Sequence, residues 1–94
     1  MAAERAVEVR VEGRVTGVGF RYSAVLAAQR IGGLTGYVRN TFDDCVECFL
    51  QGEPASVEEM LAWLHRGPAL ARVTAVHAQE RSPTPGLVGF QVRY

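Results

Sequence analysis

The chain contains no lysine: its ten basic residues are all arginine, and they balance ten acidic residues to a formal net charge of zero. The missing lysine excludes a P-loop nucleotide site, in which that residue reaches the phosphates, and it excludes Schiff-base chemistry. A neutral balance argues against a nucleic-acid partner, because such binders carry a basic excess that displaces counterions. No apolar run approaches the ~20 residues of a membrane span. The opening Met1-Ala2-Ala3-Glu4-Arg5 has no apolar segment behind it of the kind found in secretory signals. The expectation is a cytoplasmic protein that acts without a membrane.

Cysteine is scarce as well. Cys45 and Cys48 have the C-x-x-C spacing of redox and zinc sites. They lie, however, in the alternating run Cys45-Val46-Glu47-Cys48-Phe49-Leu50, where an odd separation sends the two thiols to opposite faces of a strand. The only histidines, His65 and His77, stand far along the chain and supply no second ligand pair, so no metal site is expected. A cysteine-nucleophile phosphatase needs an arginine six residues past its cysteine; those positions hold Gln51 and Pro54. Asparagine occurs once, at Asn40.

What is present reads as a single small domain over residues 1–94, with the ordinary apolar content of a chain that buries one core. From Ala6 to Glu12 the residues alternate: Val7, Val9 and Val11 share one face and Glu8, Arg10 and Glu12 the other. That pattern belongs to a sheet covered on one side only. A helical pattern begins near Tyr22, with Ala24, Ala27, Ala28 and Ile31 on one stripe, and Gly32-Gly33 ends it. Strand two reads Leu34 to Asn40. Thr41 to Asp44 form a turn in which aspartate stands where glycine is easiest, and strand three reads Cys45 to Gln51. Ser56 and Glu59 have capping-box spacing and open a second helix to about Arg66, with Val57, Met60, Leu61 and Leu64 on its apolar face and Trp63 at the flank. Gly67-Pro68 stop it, strand four runs from Arg72 to Glu80, and a loop from Arg81 to Gly86 leads to a short last strand, Gly89 to Tyr94.

The order is β-α-β-β-α-β plus a short C-terminal strand. Right-handed crossovers then place both helices on one face of an antiparallel sheet, the ferredoxin-like α+β sandwich. This architecture hosts enzymes, RNA binders and regulatory modules alike. An RNA-binding version needs exposed aromatics on the central strands and a basic face. Strand one offers Glu8, Arg10 and Glu12 there, and Phe49 and Phe90 read as sheet or core residues.

Between strand one and the first helix lies Gly13-Arg14-Val15-Thr16-Gly17-Val18-Gly19-Phe20-Arg21. Glycines let backbone N–H groups turn inward, a helix N-terminus adds partial positive charge, and arginine brings a planar fork that fits two oxygens of one phosphate. The stretch is a candidate anion cradle. Strand two, taken as the neighbour of strand one, runs parallel to it and ends at the same edge of the sheet, which brings Asn40 toward the loop.

The stretch from Gly13 to Arg21 resembles the Gly-x-Val-Gln-Gly-Val-x-Phe-Arg signature of the acylphosphatases, and Gly36-Tyr37-Val38-Arg39-Asn40 resembles their second motif, Gly-[Trp/Tyr]-Val-x-Asn. Val46-Glu47, Gln51-Gly52, Trp63-Leu64, Arg72-Val73 and the final Gly89-Phe90-Gln91-Val92-Arg93-Tyr94 are similar to the family pattern too. The resemblance implies a ferredoxin-like fold and cofactor-free, metal-free hydrolysis of acyl phosphates, and a monomer is expected. By that resemblance Arg21 binds the phosphate, Asn40 orients the attacking water, and the backbone of Val15, Thr16, Gly17, Val18, Gly19 and Phe20 completes the cradle. The chemistry is consistent. Phosphoryl transfer depends mainly on positioning and charge stabilisation, and a carboxylate leaving group needs no general acid. Thr16 in place of glutamine, the doubled Gly32-Gly33, Asp44 and Tyr37 depart from the pattern, and none removes a catalytic group. The competing expectation is a non-catalytic module of the same family that binds a phosphorylated metabolite or a protein partner.

Overall fold

A computed structural model of the chain describes residues 3–94. Its elements are β1 (Arg5–Arg14), α1 (Phe20–Ile31), β2 (Leu34–Asn40), β3 (Val46–Gly52), α2 (Pro54–Arg66), β4 (Arg72–Arg81) and β5 (Phe90–Arg93). The strands form one sheet in the order β4-β1-β3-β2-β5. The four strands of the ferredoxin-like unit pair antiparallel, and β5 joins β2 in parallel, which makes the sheet mixed. Alternation along β1 does what it implies: Val7, Val9 and Val11 are fully buried beneath the helices, beside Val38, Val46, Cys48 and Leu50 from the neighbouring strands. Each such side chain contributes roughly 1.5–3 kcal/mol by leaving water. Ala24, Ala27 and Ala28 bring α1 close to the sheet, and Val57, Met60, Leu61 and Leu64 seat α2. Phe20 and Trp63 meet edge-to-face at 5.4 Å and lock the two helices together.

Four details differ from the sequence reading. First, β1 and β2 are not neighbours. β3 lies between them, and the two run parallel because each is antiparallel to β3. Second, α2 starts at Pro54 after Glu53, with no side-chain cap. Proline has its φ preset and no N–H to satisfy, so it takes the first helical position. Ser56 then falls inside the first turn and packs toward Gly33 instead of capping. Third, Cys45 precedes β3. Its thiol lies 3.2 Å from the Arg10 guanidinium, on the face away from the helices, whereas Cys48 points into the core. Fourth, α1 begins at Phe20, so the first helical turn carries Arg21 itself. The doubled glycine is absorbed in the turn. Register from Leu34↔Gly52 to Asn40↔Val46 is unbroken.

On the uncovered face, Tyr37 and Phe49 stack at 5.9 Å and Arg93 lies 4.2 Å over the Tyr37 ring. The Tyr37 ring thus has two protein neighbours, Phe49 and Arg93. Ion pairs Arg39–Glu47 and Arg81–Glu8, both at 2.8 Å, flank the stack. The long link from β4 to β5 is pinned by buried Gln51, whose amide donates to Thr84 O at 3.0 Å and accepts from Thr84 N at 2.7 Å.

Candidate active site

The chain between β1 and α1 is anchored at both ends. Val15 and Phe20 are buried in the core, and Val18 packs against it, so the intervening backbone is held as an arch. Gly17 and Gly19 stand exposed at φ 70° and 75°, in the left-handed region that glycine adopts without penalty. Gly19 is the N-cap of α1. It offers no side-chain cap, and no acidic residue stands in the first turn. The first intrahelical bond runs from Ser23 N to Gly19 O at 3.0 Å. The amides of Phe20, Arg21 and Tyr22 therefore lack an acceptor within the helix and present the positive end of its dipole.

Arg21, half-buried on that first turn, takes part in no ion pair among the described residues. Its guanidinium lies 5.1 Å from the centre of the Tyr94 ring. Asn40 ends β2 opposite Val46, on the helix-covered side of the sheet. Its Oδ1 is buried without a hydrogen-bond partner, the only such side-chain atom among the described residues. A buried acceptor left unpaired costs about 1–3 kcal/mol, so its retention calls for a partner that arrives from outside the fold.

Arg21 and Asn40 open onto one cleft of about 250 Å³, together with Gly17 and Gly19. The rest of its wall is apolar or aromatic: Val15, Phe20, Tyr22, Val92 and Tyr94. Of the loop residues expected at the site, Val15, Gly17, Gly19 and Phe20 line the cleft, while Thr16 and Val18 are half-buried beside it. Tyr22, Val92 and Tyr94 were not expected there. The signal for the last two was the register of β5. Val38 pairs with Val92 and Arg39 with Arg93, so one step further Asn40 and Tyr94 come side by side. Among the described residues the cleft is lined by one cationic side chain, an uncapped helix start and no acidic side chain, which suits a small anion carrying an apolar substituent.

The acylphosphatase family model matches residues 7–92. An acylphosphatase of Thermococcus kodakarensis is 46% identical over 84 residues, covering 89% of this chain and 90% of its own length. One of Trichormus variabilis is 49% identical over 87 residues, covering 93% of this chain and 84% of its own. Among solved structures, an acylphosphatase from Coxiella burnetii superposes with a TM-score of 0.88 at 36% identity, over 96% of this chain and 93% of that one. With a cleft that joins the Gly13–Arg21 loop to Asn40, and with relatives matched over nearly their whole length, the chain belongs to the acylphosphatase family.

Proposed function

We propose that the protein hydrolyses acyl phosphates, mixed anhydrides of a carboxylic acid and phosphate, to carboxylate and inorganic phosphate. The observation that carries this reading is the sharing of one cleft by an arginine and a carboxamide oxygen that, among the described residues, have no ion-pair or hydrogen-bond partner respectively. Arg21 and the amides from Val15 to Phe20 hold the phosphate, neutralising charge on its equatorial oxygens. Asn40 holds a water in line with phosphorus. It is too weak a base to deprotonate that water, so its contribution is orientation. The leaving carboxylate is stable at neutral pH, and no general acid or metal is required. Because the loop would act through its backbone, Thr16 is compatible with this role.

The working form we propose is a cytoplasmic monomer. Its two cysteines are both free thiols held on opposite faces of the sheet, which suits a reducing compartment. The test is steady-state hydrolysis of benzoyl phosphate in excess EDTA, with a phosphate monoester as control. Turnover of the anhydride alone is the expected result, and its absence from folded protein overturns the reading. Arg21→Ala should abolish phosphate binding and turnover together.

A further inference from the structure

We propose that the cleft reads the acyl half of its substrate as well as the phosphate half. Tyr22, Val92 and Tyr94, which line the same cleft, form an apolar subsite that favours extended apolar acyl groups over acetyl and over acyl groups bearing a second charge. The proposal rests on the acyl phosphate reading above and refines it.

The cleft lining is of two chemical kinds. Arg21, Asn40 and the exposed glycines account for the phosphate and a water. Val15, Phe20, Tyr22, Val92 and Tyr94 are apolar or aromatic, and of these only Tyr94 also meets Arg21, through its ring face. Single exposed apolar residues are ordinary on a protein surface. Here, however, Tyr22 at 68% exposure and Tyr94 at 98% both border the same cleft, from α1 and from the end of β5. Tyr22 follows Arg21 directly in the first turn of α1. Neighbours in sequence do not face each other on a helix, but both Arg21 and Tyr22 line this cleft, so a phosphate held by Arg21 and the helix amides shares the cleft with the Tyr22 ring. The carbonyl carbon of an acyl phosphate is only two bonds from phosphorus, so its substituent starts within reach of that ring. Among the described residues Arg21 is the only charged side chain lining the cleft, and the phosphate engages it. A second anionic group on the acyl chain would meet no counter-charge there, and its desolvation would go uncompensated.

The experiment measures binding separately from turnover. The probes are phenacylphosphonate and acetonylphosphonate, in which a methylene replaces the bridging oxygen of benzoyl and acetyl phosphate and makes them unhydrolysable. Titration calorimetry gives both affinities for the wild type, Tyr22→Ala and Tyr22→Phe. In the wild type the phenacyl probe should bind about tenfold more tightly. Tyr22→Ala should cut that preference by about fivefold, and Tyr22→Phe should keep it, since the ring and not the hydroxyl makes the contact. Equal affinities for the two probes in the wild type overturn the subsite, as does a loss in Tyr22→Ala that is equal for both. Failure of the parent reading looks different: benzoyl phosphate is not hydrolysed although the two phosphonates still bind and are still ranked, an outcome that supports the subsite. Turnover of benzoyl phosphate without any ranking of the phosphonates overturns the subsite alone.

Discussion

The Arg21 guanidinium sits over the ring of Tyr94, 5.1 Å from its centre, so the start of α1 and the end of β5 meet at the cleft. A cation over an exposed aromatic face gains about 0.5–1 kcal/mol, which favours this placement of the guanidinium proposed to hold the phosphate. Tyr94→Ala should weaken inorganic phosphate binding by about two- to fivefold, with Tyr94→Phe close to wild type. Inorganic phosphate is the right probe because it has no acyl group. Equal losses in the two variants would show that the hydroxyl, not the ring, matters.

Asn40→Ala separates binding from chemistry. Turnover of benzoyl phosphate should drop ~10²-fold or more, as when one positioned polar group is removed from a reaction site. Phosphate affinity should stay near the wild-type value. The variant should melt no lower than the wild type, because Oδ1 has no internal partner to lose. A large loss of phosphate affinity with turnover retained would assign Asn40 to the phosphate instead.

Gly36 is a backbone requirement inside the second motif. Its φ is 145°, and a Cβ there would lie 1.8 Å from the carbonyl oxygen of Phe49 on the paired strand. Neither backbone can yield without breaking the β2–β3 ladder. Gly36→Ala should cost about 3 kcal/mol or more and lower the melting temperature by more than about 10 °C in thermal circular dichroism. Gly17→Ala is the contrast: nothing lies within 4 Å of its added methyl, so only the φ of 70° is penalised, at about 1 kcal/mol.

Acid should loosen the fold at a known place. Arg5 bonds the Glu80 carboxylate at 2.8 Å and holds its carboxyl below the ordinary range. A depressed folded pKa means stabilisation that is present above the unfolded value of about 4.3 and is lost as pH falls through the folded value. Asp43 follows the same direction, lowered by the Thr41 hydroxyl and then by Arg10. The urea midpoint of Glu80→Gln should therefore lie below that of the wild type at pH 6 and converge with it near pH 2. Added salt should shrink the difference at pH 6, since Glu80 is largely exposed.

The sequence alone carried the order of elements and singled out Arg21 and Asn40, which the structure brings to one cleft. The reason is local: alternation at Val7, Val9 and Val11 defines a strand face, and Arg21 and Asn40 sit at element ends that turn chemistry marks. What remained illegible was neighbourhood. A period of two says which face a residue occupies but not which strand lies beside it, so β3 between β1 and β2, and β5 alongside β2, could not be read. Tyr94 was lost for that reason, because its place at the cleft depends wholly on the parallel register of β5. The start of α2 was misplaced for another: Pro54 and Ser56 both signal a helix start, and proline settles it by what its ring forbids.

The sheet order also has a kinetic consequence. Arg5 and Glu80, which bond across β1 and β4, are 75 positions apart in the chain, and β1, which leads into the loop, is joined in the sheet to β2, which carries Asn40, only through β3. Distant pairings of this kind must close large loops before they return any energy, which slows folding relative to helical chains of equal length. The cleft is therefore a product of the completed topology, and recovery of activity after dilution from denaturant should keep pace with formation of the whole sheet.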